Sequence, residues 1–144
     1  MTLPEPAHGL PTADRERLRV CLAPFPEIVF AVLYGSAVDG AVFRDVDVAV
    51  MLAEAGGNGR GQLELWHMLS EAMSQAISLP VDVRFLNDAP LPFRYNVSRG
   101  EPLLVRDDEA WFAFLERTWD MYLDFEPVAM QYLKEMAGSV GERE

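Results

Sequence analysis

Two carboxylates two residues apart, Asp45 and Asp47, open an otherwise apolar run that continues to Leu52. In a strand, side chains alternate between faces. Asp45 and Asp47 then share one face, and Val46, Val48 and Val50 take the other. Two neighbouring acids repel each other and resist desolvation, so they make poor core; a cation between them relieves both penalties. Oxygen ligands suit a hard divalent ion, Mg²⁺ above all, of the kind usually shared with substrate phosphates. Just upstream, the apolar run Ile28 to Tyr34 ends in Gly35-Ser36. Gly35 has no Cβ, so a phosphate can come close to the backbone. Ser36 is a good helix N-cap, and the first N–H groups of a short helix from Ala37 would point at an anion.

The elements that must position these groups are readable from periodicity. Thr12 is expected to cap a first helix with Leu18 and Leu22 on one stripe, ended by Pro24. Strands are expected over 28–34 and 45–52, joined by a short turn. Residues 54–61 contain a glycine-rich loop. Over 62–78, Leu65, Met68, Leu69, Ala72, Met73, Ala76 and Ile77 recur at helical spacing, and Pro80 breaks the pattern. His67 lies beside that stripe with no companion ligand, so it reads as a surface residue. A third strand, 81–86, alternates: Val81, Val83 and Phe85 inward, Asp82 and Arg84 on the opposite face. Taken alone, Asp82 reads as an exposed acid on an edge strand. Residues 87–92 form a turn region, and the run Leu103 to Val105 follows Arg99-Gly100-Glu101-Pro102. Asp107, Asp108 and Glu109 suit the first turn of a last helix, as cap and as partners of its dipole.

That last helix, about 109–125, carries Trp111, Phe112, Phe114, Leu115, Trp119, Met121, Tyr122, Leu123 and Phe125, with Glu116, Asp120 and Asp124 on one polar line. Apolar groups cover more of it than a single buried stripe needs. Two readings stand side by side: a helix packed on the sheet, or a protein-binding surface built from aromatic anchors. Pro127 is expected to break or kink the helix after Glu126, with a short terminal helix over 128–136. The domain expectation is a flexible leader over 1–11, one domain over 12–137 and a disordered tail over 138–144.

Strand, Gly-Ser, short helix, then a strand opening with Asp-x-Asp resembles the signature of the DNA polymerase β-like nucleotidyltransferase superfamily, in its small MNT form, the minimal nucleotidyltransferases. Eight residues, Ala37 to Arg44, separate Ser36 from Asp45, a shorter spacer than the family's. The resemblance implies an α/β (α+β) fold with a small mixed sheet flanked by helices and the aromatic-rich helix at the C-terminal end. It also implies a third carboxylate on the later alternating strand, a role that falls to Asp82. Asp45, Asp47 and Asp82 would then be catalytic and hold Mg²⁺, and Gly35 and Ser36 would bind the nucleotide, with ATP as substrate. Such a site transfers a nucleotide by in-line attack of an acceptor hydroxyl on the α-phosphate, with no covalent enzyme intermediate. Minimal nucleotidyltransferases are often antitoxins of HEPN-domain toxins. The implied function is therefore AMP transfer from ATP to a toxin tyrosine, in a type VII-like toxin–antitoxin pair. The alternative is a non-catalytic antitoxin that neutralises its partner by binding alone. A small-molecule nucleotidyltransferase is a third reading, for which the chain has little room unless it dimerises.

Bulk properties narrow the partners. A formal net charge of -11 over 144 residues argues against broad contact with a nucleic-acid backbone, which needs clustered Lys and Arg. It suits simple solubility, a basic protein partner or metal binding. Cys21 is the single cysteine, so no intrachain disulfide forms and a cytoplasmic location is the simplest expectation. No run approaches the roughly 20 apolar residues of a membrane span, and the N-terminal stretch lacks the pattern of a signal peptide.

Overall fold

Seven apolar residues, Ile28–Tyr34, are too uniformly hydrophobic to be left on any surface, and in the computed structural model they form a central strand, β1. The structure describes residues 9–39, 45–54 and 61–142. Helix α1 (Thr12–Leu22) precedes β1, and the four-residue α2 (Ser36–Asp39) follows it. Then come β2 (Val46–Leu52), α3 (Gln62–Ile77), β3 (Val81–Phe85), α4 (Leu91–Ser98), β4 (Glu101–Val105) and α5 (Asp108–Glu142). The sheet runs β3-β2-β1-β4. β1 pairs antiparallel with β2 and β4, while β2 and β3 are parallel. This is the small mixed sheet flanked by helices that the sequence implied.

Strand alternation divides the core between two faces. On one, Leu33, Val46, Val48, Val50, Val81 and Val83 meet Leu18 and Leu22 of α1 and Leu65, Leu69, Met73 and Ile77 of α3. On the other, Phe30, Val32, Tyr34 and Ala49 meet Val97 of α4 and Trp111 and Phe114 of α5. Arg19 donates through Nε to the Leu103 carbonyl at 2.7 Å, tying α1 to β4. Arg106 donates to the carbonyls of Ala23, Phe25 and Ile28, closing the turn into β1.

Several local expectations are corrected. Thr12 is the first residue of α1, and Pro11 occupies the cap position without a side-chain bond; proline suits a helix start, where its missing N–H costs nothing. Leu10 is not loose: it is 2% exposed, and its N–H bonds the Ala37 carbonyl. Residues 1–8 of the expected leader, 40–44 of the turn and 55–60 of the glycine-rich loop lie outside the described residues. Met68 turns outward, leaving Leu65, Leu69, Met73 and Ile77 as a strict four-residue buried row. That helix ends at Ser78 in the left-handed region (φ 56°), ahead of Pro80. Residues 91–98, read only as a turn and its sequel, form α4 with Pro92 in its first turn. Pro127 does not break the last helix. α5 runs 35 residues with Pro127 inside it and reaches Glu142, into the expected tail. A proline removes one N–H bond and crowds one carbonyl, a local penalty of about 3 kcal/mol that helix on both sides can absorb.

Candidate functional site

The site forms where β1 ends and β2 begins. Val46 and Val81 are register partners buried on the α1/α3 side, so their neighbours Asp47 and Asp82 fall on the opposite face, directly across the parallel ladder. Neighbouring strands are about 4.8 Å apart, so the two carboxylates cannot ignore each other. Asp47 is half-buried and Asp82 exposed. Burial pushes the Asp47 carboxyl above its usual range, the Asp82 charge raises it further, Arg84 counters, and Asp45 adds to the rise.

Asp45 sits in a bend just ahead of β2 and is exposed, one residue short of the strand that the sequence assigned to it. The structure thus brings Asp47 and Asp82 side by side with Asp45 close enough to be felt. Among the described residues no three acidic, imidazole or thiol groups are gathered tightly enough to hold an ion as they stand. Asp82 instead pairs with Arg84, Nε to Oδ2 at 3.3 Å, and the Arg84 guanidinium lies 5.5 Å from the centre of the Phe93 ring. The donor set nevertheless fits a hard divalent ion: it is all carboxylate oxygen, and the penalty on ionising Asp47 is what a bound cation would cancel.

Gly35 has a reason to be glycine beyond any ligand. Its φ is +79°, and a Cβ there would stand 2.7 Å from Asp47 Oδ2. The turn and the acid are therefore built against each other. α2 begins at Ser36 itself, not after it, so Ser36 is its first residue rather than its cap. Tyr34, opposite Asp47 in the antiparallel ladder, meets Phe93 edge-on at 5.4 Å. Its phenol is pushed up to about 12 by burial first and then by the Asp47 charge.

Sequence reasoning assigned no role to Arg84, Tyr34, Asn96 or Arg99. Arg84 was visible by alternation, two residues from Asp82. Asn96 and Arg99 were not: they line a small cavity with Gly35, Val38 and Gly100 only because β4 returns beside β1. Gly100 makes that return possible, since a Cβ there would stand 2.3 Å from the Leu33 carbonyl oxygen. His67 is exposed on α3, away from these groups, as expected.

Comparison with known proteins agrees with this geometry. No curated protein sequence matches the chain. Solved structures with the same fold include a mutant MntA–HpeT toxin–antitoxin complex (TM-score 0.69, 19% identity, 85% of this chain and 98% of that one). Another is a toxin–antitoxin with AMP-PNP (TM-score 0.67, 20% identity, 85% and 98%). A third holds a tri-AMPylated Shewanella oneidensis HEPN toxin in complex with MNT antitoxin (TM-score 0.65, 19% identity, 86% and 96%). A family model described as polymerase beta, nucleotidyltransferase, matches residues 16–110, from α1 through the start of α5. The chain belongs to the polymerase beta nucleotidyltransferase family.

Proposed function

We propose that this protein is a Mg²⁺-dependent nucleotidyltransferase that moves AMP from ATP to a hydroxyl of a partner protein, a tyrosine of a HEPN-type toxin, and serves as that toxin's antitoxin. The observation that carries this reading is the Asp47–Asp82 pair across the β2–β3 ladder, with Asp47 pushed up by burial first and then by the Asp82 charge, and walled by the side-chain-free Gly35. Family membership supports the reaction class. The fold shared with an MNT antitoxin in complex with a tri-AMPylated HEPN toxin, and with a toxin–antitoxin holding AMP-PNP, supports the nucleotide and the acceptor.

In this reading Asp45, Asp47 and Asp82 hold Mg²⁺, and Gly35 and Ser36 receive the phosphates. When bound, Mg²⁺ neutralises triphosphate charge and lowers the pKa of the acceptor hydroxyl. Asp82, the more exposed of the ladder pair, accepts the proton of that hydroxyl. The acceptor oxygen bonds to the α-phosphorus as the bond to pyrophosphate breaks. Arg84 holds Asp82 in place from two residues along the same strand face. Positioning and charge supply the rate, since nothing here forms a covalent intermediate. The working unit is one domain, residues 12–137. A cytoplasmic location fits the lone Cys21, whose thiol burial pushes up to about 11 and so keeps protonated. No helix among the described residues is long and apolar enough to cross a membrane.

The test uses the purified chain, Mg²⁺ and α-labelled ATP, with lysate of the source cells as acceptor pool. One labelled protein band is expected, absent with the Asp45→Ala/Asp47→Ala variant. No label from any nucleoside triphosphate, with a pull-down still recovering one small partner, would replace this reading with that of an antitoxin acting by binding alone.

A further inference from the structure

The proposed function places the phosphates and the metal but leaves the rest of the donor nucleotide without a seat. Between α4 and α5, Tyr95, Arg99, Trp119, Tyr122 and Leu123 line a groove of about 470 Å³, within the size range of small-molecule sites. Its walls are held in place. Tyr95 and Tyr122 stack at 3.6 Å and 6°. The Trp119 indole donates to Ser98 Oγ at 3.0 Å, and Ser98 Oγ donates to the Tyr95 carbonyl at 2.6 Å. The buried serine fixes the Trp119 wall and the stack on Tyr122 fixes the Tyr95 ring, yet Trp119 remains 46% exposed and Leu123 62% exposed. A flat ring already locked in its rotamer loses little entropy when something stacks on it.

Arg99 connects this groove to the candidate site. The same residue lines the groove and the small cavity at Gly35, Val38, Asn96 and Gly100. Its backbone is held there because Gly100 presses against the Leu33 carbonyl. The phosphate turn and the aromatic groove thus stand in order on either side of Arg99. That order is complementary to a nucleotide, anionic at one end and planar and largely apolar at the other.

The geometry points to this groove as the seat of the donor's base and ribose, with Arg99 between it and the phosphates. The inference rests on the nucleotidyltransferase reading above and adds the part of the substrate which that reading leaves unplaced. Stacking on Trp119 and the tyrosine pair tolerates any base, because every base has a π-face. Arg99 makes the groove selective for a nucleotide over a free nucleobase.

Calorimetric titration of the full chain, in Mg²⁺, with ATP and separately with inorganic tripolyphosphate, tests this. Trp119→Leu is expected to weaken ATP by about tenfold, the scale of one lost base–aromatic stack, while tripolyphosphate binds as before and so reports an intact fold. Trp119→Phe, which keeps a stacking face, is expected to restore most of the ATP affinity. Arg99→Gln, which removes the cation facing the phosphates, is expected to weaken ATP and tripolyphosphate alike. ATP bound equally by wild type and Trp119→Leu would overturn the inference while leaving the nucleotidyltransferase reading standing. So would a Trp119→Leu loss confined to partner capture, which would give the groove to a polypeptide. Wild type binding neither ligand would overturn both.

Discussion

The two faces of the sheet do different jobs with the same alternating strands. The α1/α3 face is covered from end to end. Leu18, Leu22, Leu69, Met73, Val46, Val48 and Val50 are all at zero exposure. The α4/α5 face is closed over β1 and the middle of β2, where Phe30, Val32, Tyr34 and Ala49 are all buried. Towards β3 it opens, and the strand positions there are Asp47, Asp82 and Arg84. One β2 strand thus contributes Val46 and Val48 to a dry core and Asp47 to a site, with one residue between them. The closed face is dry core, and the open part of the other gathers the candidate site. The repulsion stored at Asp47 is tolerated because the valines behind it are so well packed.

That comparison can be broken at either face. The largest effect is expected on catalysis: Asp47→Asn should cut nucleotidyl transfer by at least about 10²–10³-fold, the scale for losing one preplaced electrostatic group, measured by label transfer under saturating ATP. The same variant should melt no lower than wild type in EDTA, since it removes a buried, repelled charge. A clear loss of melting temperature would show that Asp47 supports the fold. Leu69→Ala, on the closed face, should do the reverse. It should cost about 2–5 kcal/mol of unfolding free energy in denaturant with residual transfer at low temperature near wild type.

Smaller effects sharpen the picture. Gly35→Ala places a Cβ into the Asp47 carboxylate at a positive φ, so about 1–2 kcal/mol of strain is expected. If Asp47 is what the Cβ meets, combining it with Asp47→Ala should recover part of that loss. The smallest effect is a pH dependence. Folding raises the Asp47 pKa, so its contribution to stability is fully present below the unfolded carboxylate pKa and is lost as pH rises through the folded value. Melting curves in EDTA should therefore show Asp47→Asn gaining on wild type as pH rises from about 4 towards 7. A gap that stays constant over that range would remove the electrostatic account.

Much of this was legible before any coordinates. β1 matches its expected bounds, and β2 and β3 fall within one residue of theirs, because a buried strand must be apolar at every second position at least. Asp107 caps α5 as its residue type predicts, accepting from the Ala110 N–H at 3.2 Å. The misreadings came where long-range packing overrides a local signal. Leu10 is held by Ala37, which no neighbouring residue reveals. Trp111 and Phe114 are buried while Trp119 and Leu123 are exposed, so α5 is a core helix at its start and leaves aromatic and apolar groups open further on.

By itself the sequence determined the chemistry available: a glycine-serine turn and a strand period that sets Asp47 on the face opposite Val46 and Val48, with Asp82 singled out only through the family resemblance. It could do so because residue type and local periodicity are properties of the chain alone. Only the tertiary structure decided which of these groups meet. The parallel β2–β3 register set Asp82 against Asp47, and the return of β4 carried Arg99 to Gly35. Both depend on strand pairings between residues tens of positions apart, which hydrophobic burial of the whole sheet selects and no short stretch encodes.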